Sequence, residues 1–493
     1  MPEIPASSHE DKLRTPFVRK RWDIVCAGFI ILLVLAWSFS ILTTKPKLWT
    51  DEAVSINIAR SFLTHGVLSV QVAPDTFWES AHLVQSTGYP VTVPLSVFFK
   101  VFGYGFDQAR IFMLIWVFVA LAGGFFLARE LFSRYEALAS LFLVTTFASF
   151  YASGRTVVGE IPGFALLLAG FYFLLVRRQY FLTGILWGLA VVAKPSVFGL
   201  IIPAVAITLF FERFSFTQFL KQSCAIALGM VPAALFWVFF VLKTPFQARM
   251  WQEIGVFYKN PYSSDITQNI LHNLSGIFHS TTLIYFGGLF AIILFARFLI
   301  KNKSPLSFLY TFIIAYGVLA FLYYLRSPGY LRYILIAELL ILFITPYTVG
   351  VLVPWVMGRL KISRLLYQNI AVACVLGTLV FVQGVHLFTA ADISSSDNAW
   401  KVASHIESVF PDRSLGLLNA PELGLFLNSS RTFLVLDLLG IPPVGSNPLF
   451  LEDPPDIIVS HSSDRFMDEE RDILEGRYAA SLETGGYVVF VKR

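Results

Sequence analysis

The chain has 493 residues, 56% of them hydrophobic and only 14% charged, with a mean hydropathy of +0.68. Soluble domains carry about one charged residue in four, so the composition excludes a water-soluble enzyme and describes a multispanning membrane protein. The formal net charge of +5 is distributed over basic turns and offers no surface for nucleic acid.

A helical span needs about 20 mostly apolar residues. Read in chain order, apolar runs fall at 22–43, 109–128, 136–152, 161–176, 180–193, 196–211, 222–242, 281–300, 306–325, 331–353 and 366–387. Lys and Arg gather in short cytoplasmic loops. The leader 1–21 holds Arg14, Arg19, Lys20 and Arg21, and alternate turns hold Arg129 and Arg134, Arg177 and Arg178, Arg213 and Lys221, Lys301 and Lys303, then Arg359, Lys361 and Arg364. Eleven spans, with a break at Lys194-Pro195, put every cluster inside. The N-terminus is then cytoplasmic and the C-terminus exported. No small-residue cleavage site follows the first run, which reads as a retained span rather than a signal peptide. Cys26, Cys224 and Cys374 all fall within spans and imply neither a disulfide framework nor a metal site.

Within the membrane part 22–390, two exported loops are long. The first, about 44–108, contains two amphipathic pieces, 53–65 and 93–102. In the first piece Val54, Ile58, Phe62 and Leu63 recur opposite Asn57, Arg60 and Ser61, which suits a helix lying in the membrane interface. The second loop, about 243–280, carries Trp251, Phe257, Tyr258 and Tyr262 among polar residues. From about residue 391 the composition turns polar, and 391–493 is long enough for a small domain. Apolar runs at 415–418, 432–436, 457–460 and 487–491 read as buried strands, with helical stretches at 399–409 and 465–475, so this exported part is expected to be α/β. It has no glycine-rich phosphate loop and no metal-spaced His or Cys pair, and is expected to cover or support the membrane part.

Chemistry is therefore expected where charges meet the exported membrane face: Asp51, Glu52, Glu79, His82, Arg155, Glu160, Lys194, Arg326 and Arg332. Ionisable groups at that depth are functional candidates, although span ends also carry solvated charges and snorkelling Lys or Arg. Asp51-Glu52 opens a helical pattern after Trp49-Thr50, and favourable carboxylates in a first turn are one reading of it. Helical neighbours point about 100° apart, so one carboxylate faces a site while the other supports it. The facing one would take a proton from an attacking group or hold a divalent cation. Glu160 lies in Ser153-Gly154-Arg155-Thr156-Val157-Val158-Gly159-Glu160-Ile161-Pro162, where it either caps a helix or completes a carboxylate pair with Asp51. In Arg326-Ser327-Pro328-Gly329-Tyr330-Leu331-Arg332-Tyr333, Arg332 opens an apolar helix, where a guanidinium costs about 2.5–3.5 kcal/mol at mid-depth. A phosphate would offset that cost through a charge-assisted pair, with Tyr330 and Tyr333 adding hydroxyls.

An acidic pair after the first span, a long first exported loop with Tyr89-Pro90 and Pro94-Leu95, an acid in the next outer turn and an Arg-Tyr opening a late span together resemble the GT-C glycosyltransferases. Within them the chain is similar to the protein O-mannosyltransferase and aminoarabinose (lipid A) transferase branch, of the kind met in bacterial inner (plasma) membranes. The chain departs from the branch at the proline-rich motif of the first loop, which usually ends in Pro-Pro-Leu and here reads Gly88-Tyr89-Pro90-Val91-Thr92-Val93-Pro94-Leu95. The departure bears on the acceptor. The resemblance implies inverting transfer of a sugar from a polyprenyl-phosphate donor, undecaprenyl or dolichyl in type, to a lipid, glycan or protein acceptor. It implies Asp51 as base or metal-holding carboxylate, Glu52 as its neighbour, Glu160 as second acid and Arg332 as donor-phosphate ligand with Arg326, Tyr330 and Tyr333. The in-line geometry of inversion places carboxylates and arginine on opposite sides of the sugar. His82, Tyr89, Arg155 and Lys194 are weaker candidates for substrate contact. A divalent ion, Mg, Mn, Ca or Zn, would sit at Asp51 and Glu160 if one is used. The rival reading is a transporter or flippase, but the chain lacks the internal repeats with broken helices that transporters often show.

Overall fold

The computed structural model describes residues 21–78, 87–212, 216–241, 265–300, 304–362, 364–389, 397–427, 433–436, 444–462 and 468–493. Glu79, His82 and the aromatic cluster of the second loop lie outside them.

Helices dominate. In chain order they are α1 (Trp22–Ser40), α2 (Thr50–His65), α3 (Tyr89–Phe102), α4 (Phe106–Leu131), α5 (Arg134–Thr145), α6 (Ala148–Arg155), α7 (Glu160–Phe171, continued by a π segment, Tyr172–Val176), α8 (Tyr180–Ala193), α9 (Pro195–Phe198) and α10 (Ile201–Glu212). Then follow α11 (Phe216–Phe236), α12 (Ile266–Gly276), α13 (Thr281–Arg297), α14 (Pro305–Arg326), α15 (Leu335–Arg359) and α16 (Leu365–Thr389). Seven of the described helices or joined pairs are long and apolar enough to cross a membrane. The count rises to nine when the bent pairs α5–α6 (69°) and α12–α13 (84°) each make one span. Of the eleven expected runs, 161–176 and 180–193 thus appear as apolar helices below span length. The break at Lys194 is real: α8 stops at Ala193 and Pro195 opens a new helix. The run from 331 begins as a 3-10 turn, Leu331–Tyr333, and becomes α-helical only at Leu335. Large apolar side chains on α1, α11 and α16, among them Phe29, Leu228 and Phe381, face outward, as expected of lipid-facing surface.

α2 departs from the expected interfacial helix. Asn57 and Ser61, assigned to a polar outer face, are buried with Val54, Ile56 and Ile58. Two other parts of the chain cover it. Ile56 and Ala59 pack with Val91 and Ala109, while Val54 and Ile58 meet the hairpin β1 (Val70–Ala73) and β2 (Thr76–Trp78) and Val435 of the C-terminal part. Gly66, at φ 70°, ends the helix in the left-handed conformation glycine adopts without penalty. α3 does keep an apolar outer face, with Val97, Val101 and Phe102 exposed.

The C-terminal part is α17 (Asp397–Val409), β3 (Leu415–Leu418), β4 (Phe433–Leu436), α18 (Pro448–Glu452), β5 (Ile457–His461), α19 (Asp468–Arg477), β6 (Tyr478–Thr484) and β7 (Tyr487–Lys492). Its five-stranded mixed sheet has the order β4-β3-β5-β7-β6, with β3 parallel to β4 and β5, and β7 antiparallel to β5 and β6. Alternation sends Leu415, Leu417, Ile457 and Val459 toward α17, and Leu418, Ile458 and Tyr478 toward Leu474 of α19, so both faces are covered. The 3-10 turn Pro421–Leu425 packs against α2, and the Phe426 ring meets Phe106 edge-on at 5.7 Å.

Candidate active site

The site is built where the first turn of α2 meets the turn that opens α15. Asp51 Oδ2 accepts a hydrogen bond from Arg332 Nη1 at 2.7 Å, and both side chains are only partly exposed. The Arg332 guanidinium also stands 4.7 Å from the Trp49 ring, 5.3 Å from Tyr330 and 5.6 Å from Tyr333. Aromatic faces stabilise a cation by roughly 0.5–2 kcal/mol each. Burial alone would raise the Asp51 pKa, but the positive charges of Lys194 and Arg332 outweigh it and hold the carboxyl below the ordinary aspartate value. Asp51 is a carboxylate at neutral pH.

Asp51 and Arg332, expected on opposite sides of the sugar, are here in direct contact. A part-buried ion pair loses less hydration energy when its members contact each other.

Glu52 turns the other way. Its Oε1 accepts from Arg110 Nε at 2.9 Å and from the Val157 N–H at 3.2 Å, and its Oε2 accepts from Arg110 Nη2 at 2.8 Å. Arg110 donates further to the carbonyls of Leu42 at 2.7 Å and Pro46 at 3.0 Å. Both side chains are fully buried. This bidentate pair ties together the end of the first span, α2, α4 and the 156–159 turn, which removes Glu52 from the reacting face. Sequence reading passed over Arg110, although an arginine in the first turn of an apolar run is a signal.

Glu160 and Lys194 face each other, both buried, with Nζ 3.8 Å from Oε1, while Oε2 has no hydrogen-bond partner. Their closeness depends on two glycines. A Cβ on Gly159 would come within 2.0 Å of the Ala193 carbonyl oxygen, and one on Gly88 within 1.9 Å of the Val192 oxygen. Gly88 also donates its N–H to Ala193 at 3.1 Å, satisfying a carbonyl that the end of α8 leaves open. Arg155, at the end of α6, is buried with Nε and Nη1 unpartnered.

The other candidates divide. Asn269 donates to the Arg326 carbonyl, and Asn273 Nδ2 to those of Tyr324, Leu325 and Ser327, so α12 clamps the turn that carries Arg332. The Arg326 guanidinium lies over Tyr323 at 5.5 Å, and the Tyr323 ring meets that of Tyr333 at 5.1 Å. Tyr89 donates its hydroxyl to the Ala233 carbonyl at 3.2 Å and rests on Phe236, a packing arrangement between α3 and α11. Glu338, buried in α15 with Oε1 unpartnered, was not among the sequence candidates; its signal is a carboxylate inside a span.

The described residues do not fit a metal ion. Among them no three His, Cys, Asp or Glu side chains converge, and each carboxylate proposed as a ligand already faces a cation, Asp51 with Arg332 and Glu160 with Lys194.

Residues 92–238 match the sequence profile of the family described as dolichyl-phosphate-mannose-protein mannosyltransferase. In three dimensions the chain superposes on ArnT from Cupriavidus metallidurans in the apo state at a TM-score of 0.64, with 14% identity over 96% of this chain and 98% of that one. The chain has an ArnT-like fold. ArnT bound to undecaprenyl phosphate gives a TM-score of 0.63 at 13% identity over the same shares of both chains. The Archaeoglobus fulgidus oligosaccharyltransferase, tethered with an acceptor peptide, gives 0.55 at 12% identity over 90% of this chain and 69% of that one. No curated protein sequence matches the chain. Within the ArnT-like fold, the profile match runs from α3 to the π segment after α11 and so includes Glu160 and Lys194.

Proposed function

We propose that the protein is an inverting glycosyltransferase that moves a sugar from a polyprenyl-phosphate carrier to an acceptor at the exported membrane face. The Asp51–Arg332 pair carries this reading: a part-buried carboxylate and a guanidinium, in contact, at a helix end beside the bilayer. The ArnT-like fold and the mannosyltransferase profile support a lipid-phosphate donor. In this reading α7 with its π segment and α8 are two short spans, giving eleven, with the sheet on the exported side.

Transfer begins when the donor phosphate takes the place of Asp51 on Arg332. The acceptor hydroxyl attacks the anomeric carbon and its proton goes to Asp51. The bond from that carbon to the phosphate oxygen breaks, and its electron pair leaves with the lipid phosphate. Arg332 meets the growing charge, a form of stabilisation that acts without a general acid. Lys194 keeps Asp51 ionised after Arg332 turns to the phosphate, because it contributes to that ionisation separately. Glu160 orients Lys194, Arg155 offers its unpartnered nitrogens to the donor or acceptor, and Glu52 positions Asp51 through the Arg110 anchor.

Binding of polyprenyl phosphate to the detergent-solubilised protein tests the phosphate ligand. Arg332→Gln is expected to weaken binding at least tenfold, and Arg332→Lys less, because a point charge replaces the fork. Equal affinity across the three proteins would overturn the assignment.

A further inference from the structure

A polar cavity lies at the far end of the helices that carry the candidate site. α7 with its π segment starts at Glu160 and ends at Val176, and the α9–α10 span starts beside Lys194 and ends at Glu212. At about 1.5 Å per residue, helices of this length separate their ends by about 25 Å. At that opposite end a cavity of about 470 Å³ opens, lined by Arg178, Gln218, Lys221 and Gln222. Leu174 and Phe308 give it an apolar wall.

Two features favour an anion in it. First, among the described residues neither Arg178 nor Lys221 enters an ion pair. Glu212, the carboxylate in the wall, is already engaged by Arg297 at 2.7 Å, Ser307 at 2.7 Å and Thr311 at 2.6 Å. Arg297 offsets its charge. Second, Tyr180 opens α8 and Pro305 opens α14, and both line the cavity. Two helix N-termini thus add positive potential to two cations.

We propose that this cavity binds the phosphate of an anionic lipid headgroup, with Arg178 and Lys221 as its ligands and the apolar wall receiving the first carbons of the lipid. The combination of two cations, two helix N-termini and an apolar wall at one membrane face suits an amphiphile with a phosphate at its polar end. The site is separate from the candidate active site.

The test is binding of dioctanoyl phosphatidic acid, dioctanoylglycerol and inorganic phosphate to the full-length protein in detergent, for wild type, Arg178→Gln/Lys221→Gln and Arg332→Gln. Wild type is expected to bind the phosphatidic acid in preference to the other two. The double variant is expected to lose roughly tenfold or more in affinity with its melting temperature kept, and Arg332→Gln to lose less; a larger loss in Arg332→Gln than in the double variant would overturn the site. Inorganic phosphate binding as tightly as the lipid would overturn the lipid part. Equal binding of dioctanoylglycerol, or an unaffected double variant, would overturn the site. Should the double variant fail to fold, the salt dependence of wild type decides, because affinity that does not fall from low to high salt excludes the charged contacts.

Discussion

At Arg332 one guanidinium is shared between a carboxylate and the faces of Trp49, Tyr330 and Tyr333. Asp51 therefore stays ionised despite burial, and the sign of the linkage follows. Its folded pKa is below the ordinary 3.8, so the stability it contributes is present above that value and lost as pH falls through the folded one. The gap in melting temperature between wild type and Asp51→Asn is predicted to be constant at neutral and mildly acid pH and to close below about pH 4. A gap that persists in strong acid contradicts the pairing. Asp51 and Arg332 were legible in the sequence because each is a charge at a span end, and their contact was not, because 281 positions separate them. Glu52 was half legible. Adjacent helical residues diverge, which separates its role from that of Asp51, but its partner Arg110 shows only in three dimensions.

Elements around the site are joined by buried contacts that single substitutions break. Glu52→Gln leaves Arg110 buried with neutral partners alone, and losing one member of such a pair costs about 3–5 kcal/mol. The melting temperature of the purified protein should fall markedly, and Glu52→Gln/Arg110→Met should recover part of the loss; equal losses in both would contradict the pairing argument. Gly159→Ala places a methyl against the Ala193 carbonyl, and overpacking of this kind costs about 1–3 kcal/mol. Its effect on transfer should exceed that of Gly123→Ala, where nothing stands within 4 Å of the added carbon; comparable activity in the two would contradict the close approach. Strands β3, β4, β5 and β7 were readable as short apolar runs. β6 was not, because it is an edge strand with mostly exposed residues and has no buried run. α2 was readable as a helix with the wrong surroundings, since its cover comes from Val435, Leu425 and Phe426, far along the chain.

The molecule as a whole packs the C-terminal α/β part against α2, the helix that carries Asp51. Phe426 on Phe106 is a point where that cover meets the membrane part, and an aromatic pair adds about 0.5–1.5 kcal/mol beyond its buried area. Phe426→Ala should speed proteolysis in the C-terminal part of the folded protein while leaving polyprenyl-phosphate binding at Arg332 intact; unchanged proteolysis would contradict a docked sheet. Composition and basic turns made a polytopic helical protein readable from the sequence, whereas the shortness of α7 and α8 and the bends in two other helix pairs were not. The most direct test is transfer of labelled sugar from a panel of polyprenyl-phosphate sugars into membranes bearing wild type or Asp51→Asn. Loss of a general base lowers rates by about 10²–10⁴-fold, and a drop of that size with donor binding retained is the predicted result; transfer at the wild-type rate by Asp51→Asn would contradict it.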